Sequence, residues 1–139
     1  MRKIVENTVT SDQAEELIAL LGTRHIGRDA FIANETVMSV LSAVGLSEDD
    51  IQDNSYWSIE RAPKGHQWHV DTGSSNHMPW CKYGTSTLLT DDFSGGEFWY
   101  RDDSEPVDQK LYSTVMHASD VVHKVEPHSG RRIVLLAFL

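Results

Sequence analysis

The second half of this chain is a succession of short, strand-like segments separated by turn-forming residues, and this spacing restricts the fold more than any other feature. Segments rich in β-branched and aromatic residues alternate with clusters of Gly, Pro, Asp and Ser. Strands this short and this close together, without βαβ alternation, predict a sandwich, jelly roll or barrel. The predicted strands cover residues 56–61, 66–72, 83–90, 96–101, 111–117, 123–126 and 131–139.

The first third of the chain predicts two helices that would support this β-structure. Thr10 or Ser11 can cap a helix over residues 12–21, where apolar residues recur at spacings of three and four. Asn34 can cap a second helix that runs to Val44, with its apolar residues on one face. These helices would pack most simply against one side of a sheet.

The length and the pattern together predict one domain of class α+β, mainly β. It would be a jelly roll buttressed by two N-terminal helices. We expect a single domain over residues 1–139, in which 1–55 form supporting helices and strands and 56–139 form the jelly-roll core.

Composition excludes several classes of function. The formal net charge is −9 and no basic stripe offsets it, so we expect no nucleic-acid partner. No apolar run approaches the length of a membrane span, and charge interrupts the first residues too soon for a signal peptide. Cys81 is the only cysteine, which rules out an internal disulfide and makes a reducing, cytoplasmic setting the expectation.

His69 and Asp71 are the first candidate site residues. On a strand, side chains two positions apart point to the same face, so this His-x-Asp pair would present an imidazole and a carboxylate together. His123, which opens a later strand after two valines, can supply a third ligand. Two histidines and one carboxylate form the facial triad of non-haem Fe(II) oxygenases, which leaves other coordination positions open.

Four sequence elements occur in the order typical of one enzyme family, and on them the chain resembles the Fe(II)- and 2-oxoglutarate-dependent dioxygenases, most closely the prolyl-4-hydroxylase-like branch. The family's elements are His-x-Asp, Leu-Asn-Asp-x-Phe-x-Gly-Gly-Glu, His-x-Val-x-Pro and Gly-x-Arg before an apolar strand. The resemblance covers about residues 56–139. The corresponding segments here are His69-Val70-Asp71, Leu89-Thr90-Asp91-Asp92-Phe93-Ser94-Gly95-Gly96-Glu97, His123-Lys124-Val125-Glu126-Pro127 and Gly130-Arg131-Arg132.

The resemblance implies a double-stranded β-helix with His69, Asp71 and His123 as iron ligands. It also implies Fe(II) as cofactor, with 2-oxoglutarate and dioxygen as cosubstrates. Arg132 matches the arginine that binds the far carboxylate of 2-oxoglutarate, a pairing that suits a buried guanidinium. Leu88 stands where relatives often have a cosubstrate-binding tyrosine, and Tyr83, earlier on the same strand, is a candidate to replace it.

The long link between the second and third predicted strands of this half, residues 72–82, suggests a lid over the site. His77 and Trp80 lie in it and are candidates for contact with substrate. A second metal site at His77 and Cys81 has little support from so short a pattern.

The function expected from the resemblance is hydroxylation of an unactivated C–H bond, with a prolyl residue of a peptide or protein as the leading substrate. One alternative is a free amino acid or another small molecule. A second is a cupin-like or degenerate metal-binding jelly roll without turnover, which the departure at Leu88 keeps open. The oligomeric state is left open, with a homodimer as one option.

Overall fold

The structure is a computed structural model and describes residues 1–72 and 78–139. A short 3-10 helix, Glu48–Asp50, follows the third α-helix. In chain order the strands and α-helices are β1 (Arg2–Val5), α1 (Ser11–Ile18), β2 (Arg24–Ile26), α2 (Arg28–Ile32), α3 (Glu35–Ala43), β3 (Tyr56–Glu60), β4 (His66–His69), β5 (Tyr83–Leu88), β6 (Phe93–Gly95), β7 (Phe98–Tyr100), β8 (Thr114–Ala118), β9 (His123–Val125), β10 (His128–Gly130) and β11 (Val134–Phe138).

Two antiparallel sheets form the β-structure. The major sheet has six strands in the order β1-β8-β5-β11-β3-β2, and the minor sheet has three in the order β4-β9-β7. Strands β6 and β10 make a separate two-stranded ribbon. The sheets meet through a small apolar cluster of Phe98, Tyr100 and Val125 from the minor sheet and Val115 from the major sheet.

The helices cover the other face of the major sheet. Trp57 of β3 and Leu135 of β11 point toward them and are fully buried in one core with Leu17 of α1 and Leu41 of α3. The residues that alternate with these on β11, such as Leu136, line a cavity between the two sheets. Each central strand of the major sheet therefore has one face for the core and one for the cavity.

The predicted fold class is confirmed: the structure is mainly β, its sheets are antiparallel, and helices pack on one side. Both predicted helices are present, with Thr10 and Asn34 as their caps. Asn34 accepts a hydrogen bond from the backbone of Val37 at 3.0 Å.

Other elements differ from the prediction. Helix α2 was not predicted, strands β1 and β2 were expected within residues 1–55 without assigned positions, and β6 and β10 form where turns were expected. The strand predicted over 66–72 ends at His69, so Asp71 lies beyond it. Within the described residues, no helix has the length and apolar character needed to cross a membrane.

Candidate metal centre

His69, Asp71 and His123 converge between the two sheets. One ligand atom from each residue lies within 4.8 Å of the other two. His69 ends β4 and stands directly opposite His123, the first residue of β9, with their ring centroids 4.2 Å apart. The structure thus brings together the trio named from the sequence.

Strand alternation does not place Asp71, because the carboxylate comes from the turn after β4. The backbone N–H of Asp71 donates to the carbonyl of Ser119 at 2.8 Å, which ties this turn to the end of β8. The side chain is buried, with 3% of its residue surface exposed. The expectation of a shared strand face was therefore wrong in its reason, although the pairing with His69 is present.

Backbone carbonyls fix the orientation of both imidazoles. His69 donates from Nδ1 to the carbonyl of Gln67 at 2.7 Å, and His123 donates from Nδ1 to the carbonyl of Val121 at 2.9 Å. A carbonyl can only accept a hydrogen bond, so Nδ1 carries the proton in each ring. Nε2 then has a lone pair that is available to bind a metal ion. The two Nε2 atoms lie 3.6 and 3.4 Å from Oδ1 of Asp71.

The carboxylate of Asp71 is held in its ionised form. Burial by itself raises its pKa, but the hydrogen bond from His117 and the nearby imidazoles of His123 and His69 outweigh burial and hold the pKa well below its usual range. The nearby carboxylate of Asp71 also raises the pKa of His69. Two Nε2 atoms and one carboxylate oxygen thus face a common point, and this donor set fits a divalent iron or a similar metal ion.

Three further residues complete the surroundings of the trio. His117 of β8 donates from Nε2 to Oδ2 of Asp71 at 2.7 Å, and the hydroxyl of Tyr100 lies 3.0 Å from Nδ1 of His117. Phe98 stacks on the ring of His123, with an angle of 4° between the planes. The sequence motifs that name the trio do not include His117; the signal that could have found it was a histidine directly after Val115 and Met116 on a predicted strand.

Arg132 lies in the same cavity and is almost fully buried, with 3% of its surface exposed. Its Nε atom has no hydrogen-bond partner among the described residues, and no carboxylate there pairs with the guanidinium. Burial lowers its pKa. A buried, unpaired arginine that faces a cavity fits an anionic ligand, which would satisfy its donors.

Gly96 makes the room that Arg132 occupies. A Cβ atom at this position would lie 2.6 Å from Cδ and 2.8 Å from Nε of Arg132, and Gly96 also has a positive φ of 72°. Gly96 of the segment 89–97 thus leaves space for the arginine of the segment 130–132. Two of the motif elements named from the sequence are therefore parts of one structure.

The cavity between the sheets has a volume of about 390 Å³ and contains both the metal trio and Arg132 in its lining. Val134 and Leu136 of β11 form apolar wall, as does Val125 of β9. Ser58 and Ser86 flank Leu136 on the neighbouring strands. This size suits a small cosubstrate together with part of a second molecule.

The remaining site predictions, for Tyr83, Trp80 and His77, have different outcomes. Tyr83 does not line the cavity but packs against the helix-side core, so its proposed contact with the cosubstrate is corrected. Trp80 is half-buried and meets the ring of Tyr56, a cavity residue, edge-on at 6.4 Å. A contact between Trp80 and substrate stays a prediction. His77 lies outside the described residues.

Comparison with solved structures finds the same fold in prolyl hydroxylases. The collagen prolyl hydroxylase of Paramecium bursaria Chlorella virus-1, in a 2OG complex, matches with a TM-score of 0.69 and 11% identity over 99% of this chain and 94% of that one. A prolyl-4-hydroxylase of Pseudomonas putida matches with a TM-score of 0.64 and 12% identity, over 99% and 90%. A prolyl hydroxylase of Trichoplax adhaerens, in complex with a hypoxia-inducible-factor peptide, gives 0.62 and 13%, over 99% and 83%.

The chain therefore has the double-stranded β-helix fold of the 2-oxoglutarate/Fe(II) oxygenases. The resemblance to the prolyl-4-hydroxylase-like branch is confirmed at the level of the fold. The sequence itself matches no model of a protein family and no curated protein. At these low identities the match establishes architecture, and the chemistry has to be argued from the site.

Proposed function

We propose that this chain is an Fe(II)- and 2-oxoglutarate-dependent dioxygenase that hydroxylates an unactivated C–H bond. The single observation that carries the proposal is that two Nε2 atoms and a carboxylate oxygen face a common point in the cavity that also holds the unpaired, buried Arg132. A metal site and an anion site in one cavity are what this cosubstrate requires.

Each of these residues has a separate task. His69, Asp71 and His123 would hold the metal on one side and leave its other side toward the cavity. Arg132 would bind the far carboxylate of 2-oxoglutarate and set the distance of its 2-oxo acid end from the metal. Val125, which lines the cavity near these residues, helps to exclude water.

With Fe(II) and 2-oxoglutarate bound, this centre would supply the four-electron reduction of dioxygen, with two electrons coming from 2-oxoglutarate and two from the C–H bond of the substrate. One oxygen atom enters the C–H bond of the substrate as a hydroxyl group, and the other enters succinate as carbon dioxide is released. The protein's part is to orient the reactants and to shield them.

A prolyl residue in a peptide or protein is the proposed substrate. The proteins with the same fold support it, since one is described as a collagen prolyl hydroxylase and another was solved with a peptide fragment. The cavity is also open to solvent where His66 and Arg24, both exposed, contribute to its lining. A peptide could enter from that side.

One observation favours a second candidate, a small molecule that carries an anionic group, such as a free amino acid. Arg24 lines the cavity, and its guanidinium stacks on the ring of Tyr56 at 3.9 Å. Among the described residues no carboxylate pairs with Arg24. A substrate carboxylate would find an oriented cation at this side of the cavity.

Anaerobic titration with Fe(II) and then 2-oxoglutarate tests the proposed cofactors. We expect the visible charge-transfer band of the iron–2-oxoglutarate chelate to form. Asp71→Ala should abolish the band, and Arg132→Ala should raise the 2-oxoglutarate concentration needed by about tenfold or more. Arg131→Ala is the matched control, because the neighbouring arginine is exposed and pairs with Asp92 at 3.5 Å outside the cavity.

Iron binding without any chelate band would contradict the dioxygenase proposal. A degenerate or cupin-like metal protein would then be the better description. Succinate release with prolyl peptides and with free amino acids distinguishes the two substrate classes. If small acids are the substrates, Arg24→Ala should raise their KM by about tenfold or more, whereas Arg101→Ala at an exposed site outside the cavity should not.

A further inference from the structure

Two buried hydrogen bonds behind Asp71 have fixed donors and acceptors, running from Tyr100 through His117 to the carboxylate. Oδ1 of Asp71 faces the Nε2 atoms of His69 and His123, whereas Oδ2 points away from them toward Nε2 of His117 at 2.7 Å. An ionised carboxylate cannot donate, so Nε2 of His117 carries the proton of this bond. The opposite nitrogen, Nδ1, is then available to accept from the hydroxyl of Tyr100 at 3.0 Å.

The residues of this hydrogen-bond network are held in place by their surroundings. His117 and Tyr100 are 2% and 3% exposed, and their rings meet at nearly a right angle. The guanidinium of Arg2 lies over the outer face of the Tyr100 ring at 4.4 Å and pairs with Asp103 through two hydrogen bonds of 2.9 and 3.0 Å. The N-terminal strand therefore covers the far end of the chain of hydrogen bonds.

Gly84 shows how closely this arrangement is packed. It stands opposite His117 in the pairing of β5 with β8. A Cβ atom at Gly84 would overlap Oδ2 of Asp71 and would lie 2.9 Å from Nε2 of His117. Only a residue without a side chain leaves room for the hydrogen bond between Asp71 and His117.

We propose that His117, oriented by Tyr100, is a positioning residue that restricts Asp71 to a single metal-binding oxygen, Oδ1. The inference rests on the proposed function. By occupying Oδ2, the imidazole prevents the carboxylate from turning both oxygens toward the metal. A coordination position that a bidentate carboxylate would fill is thereby kept free for the cosubstrate.

The test compares variants that differ in one hydrogen bond. His117→Leu removes the donor to Asp71, whereas His117→Gln places an amide N–H near the position of Nε2 and should restore it. Tyr100→Phe removes only the hydroxyl that orients His117 and keeps the ring. Tyr112→Phe is the control, because Tyr112 packs against the helix-side core away from the site.

Two measurements are made on each variant: the affinity for Mn(II) alone, and the number of exchangeable water molecules on bound Mn(II) from water-proton relaxation. We expect His117→Leu to weaken Mn(II) binding about 10–100-fold and to lower the number of bound waters. His117→Gln should recover most of both quantities. Tyr100→Phe should lose about fivefold in affinity, and Tyr112→Phe should match the unmodified chain.

Unchanged affinity and water number in folded His117→Leu would overturn the inference. Equal losses in His117→Leu and His117→Gln would also overturn it, because they would indicate packing rather than the hydrogen bond. If His117→Leu fails to fold, the other two variants still test the inference. It is supported if His117→Gln binds Mn(II) well and Tyr100→Phe binds it about fivefold more weakly. It is refuted if Tyr100→Phe binds Mn(II) as the unmodified chain does. If the unmodified chain binds no Mn(II), the proposed function itself fails together with the inference.

Discussion

At the scale of single residues, an absent side chain shapes the site as much as the ligands do. Gly84 stands in the middle of the major sheet, where any Cβ atom would overlap the carboxylate of Asp71. Its φ is not in the left-handed region, so the backbone does not require glycine there. The requirement comes from the close approach of Asp71 to β5.

Gly84→Ala should therefore disable the site more than it disturbs the fold. We expect it to weaken Mn(II) binding by more than about tenfold, because the added methyl group displaces Asp71 from its place between the three histidines. Isothermal titration measures the affinity, and circular dichroism checks the fold. Gly27→Ala is the comparison for backbone strain: its φ of 102° disfavours alanine, but a Cβ atom there meets nothing within 4 Å, so it should lower stability without changing metal affinity. Equal metal affinity in Gly84→Ala and the unmodified chain would refute this account.

Cys81 is close to the site, but its thiol is unreactive in the folded protein. It is 4% exposed, and burial raises the pKa of its thiol to about 12. At pH 8 the reactive thiolate is therefore almost absent from the folded protein. We expect a disulfide reagent such as Ellman's reagent to label Cys81 on the order of a thousandfold more slowly than in the urea-unfolded chain. Similar labelling rates in the two states would show that this thiol is accessible and ionised.

At the scale of elements, local signals in the sequence explain which parts could be predicted. Thr10 and Asn34 are capping residues followed by regular apolar spacing, and both helices begin where these signals stand. Alternation also gives the correct faces of β11, with Leu136 toward the cavity and Leu135 in the core. These features depend on residues close together in the chain.

The elements that were missed depend on distant partners. Strands β6 and β10 consist mainly of Ser and Gly with one aromatic residue each, a composition typical of turns, and they become strands only by pairing with each other. Strand β2 likewise exists as the edge neighbour of β3. No local pattern marks such pairings, because their hydrogen bonds join segments far apart in sequence.

The cap of α1 offers a prediction at this scale. Thr10 accepts a hydrogen bond from Gln13 N–H at 3.1 Å, and the Gln13 side chain accepts from Thr10 N–H at 2.9 Å. Thr10→Ala should lower the free energy of unfolding by about 1 kcal/mol, measured in urea, without changing metal affinity. Ser11→Ala, one residue further on, removes a hydroxyl without a cap contact and should have a much smaller effect. A loss shared by both variants would assign the effect to removal of any hydroxyl at the start of the helix and not to the cap contact of Thr10.

At the scale of the whole molecule, the metal trio, His117 and Arg132 are assembled from several separate segments in the second half of the chain, between residues 69 and 132. The metal trio comes from the minor sheet and its adjoining turn, while His117 and Arg132 come from the major-sheet side. The trio and Arg132 could be predicted from the sequence, because they lie in motif elements that follow one another in the order typical of one enzyme family. The bond between Tyr100 and His117 could not, since it depends on how the two sheets face each other.

This assembly makes metal binding a contribution to the stability of the fold. The ligands are brought together only in the folded chain, so an ion that binds them stabilises that state by mass action. At a free Mn(II) concentration of 100 times Kd, we expect about 2.7 kcal/mol of added stability. For a chain of this length, that corresponds to an increase in Tm of roughly 10 °C.

The net charge of −9 sets the necessary control, because any divalent cation relieves repulsion on an acidic surface. Mg²⁺ screens the surface equally but binds imidazole nitrogen poorly, so it should raise Tm by only a small part of the Mn(II) effect. Asp71→Ala should lose the difference between the two ions, since it removes the one anionic ligand. Equal increases with Mg²⁺ and Mn(II), or an undiminished difference in Asp71→Ala, would place the stabilising ion on the acidic surface and away from the cavity between the sheets.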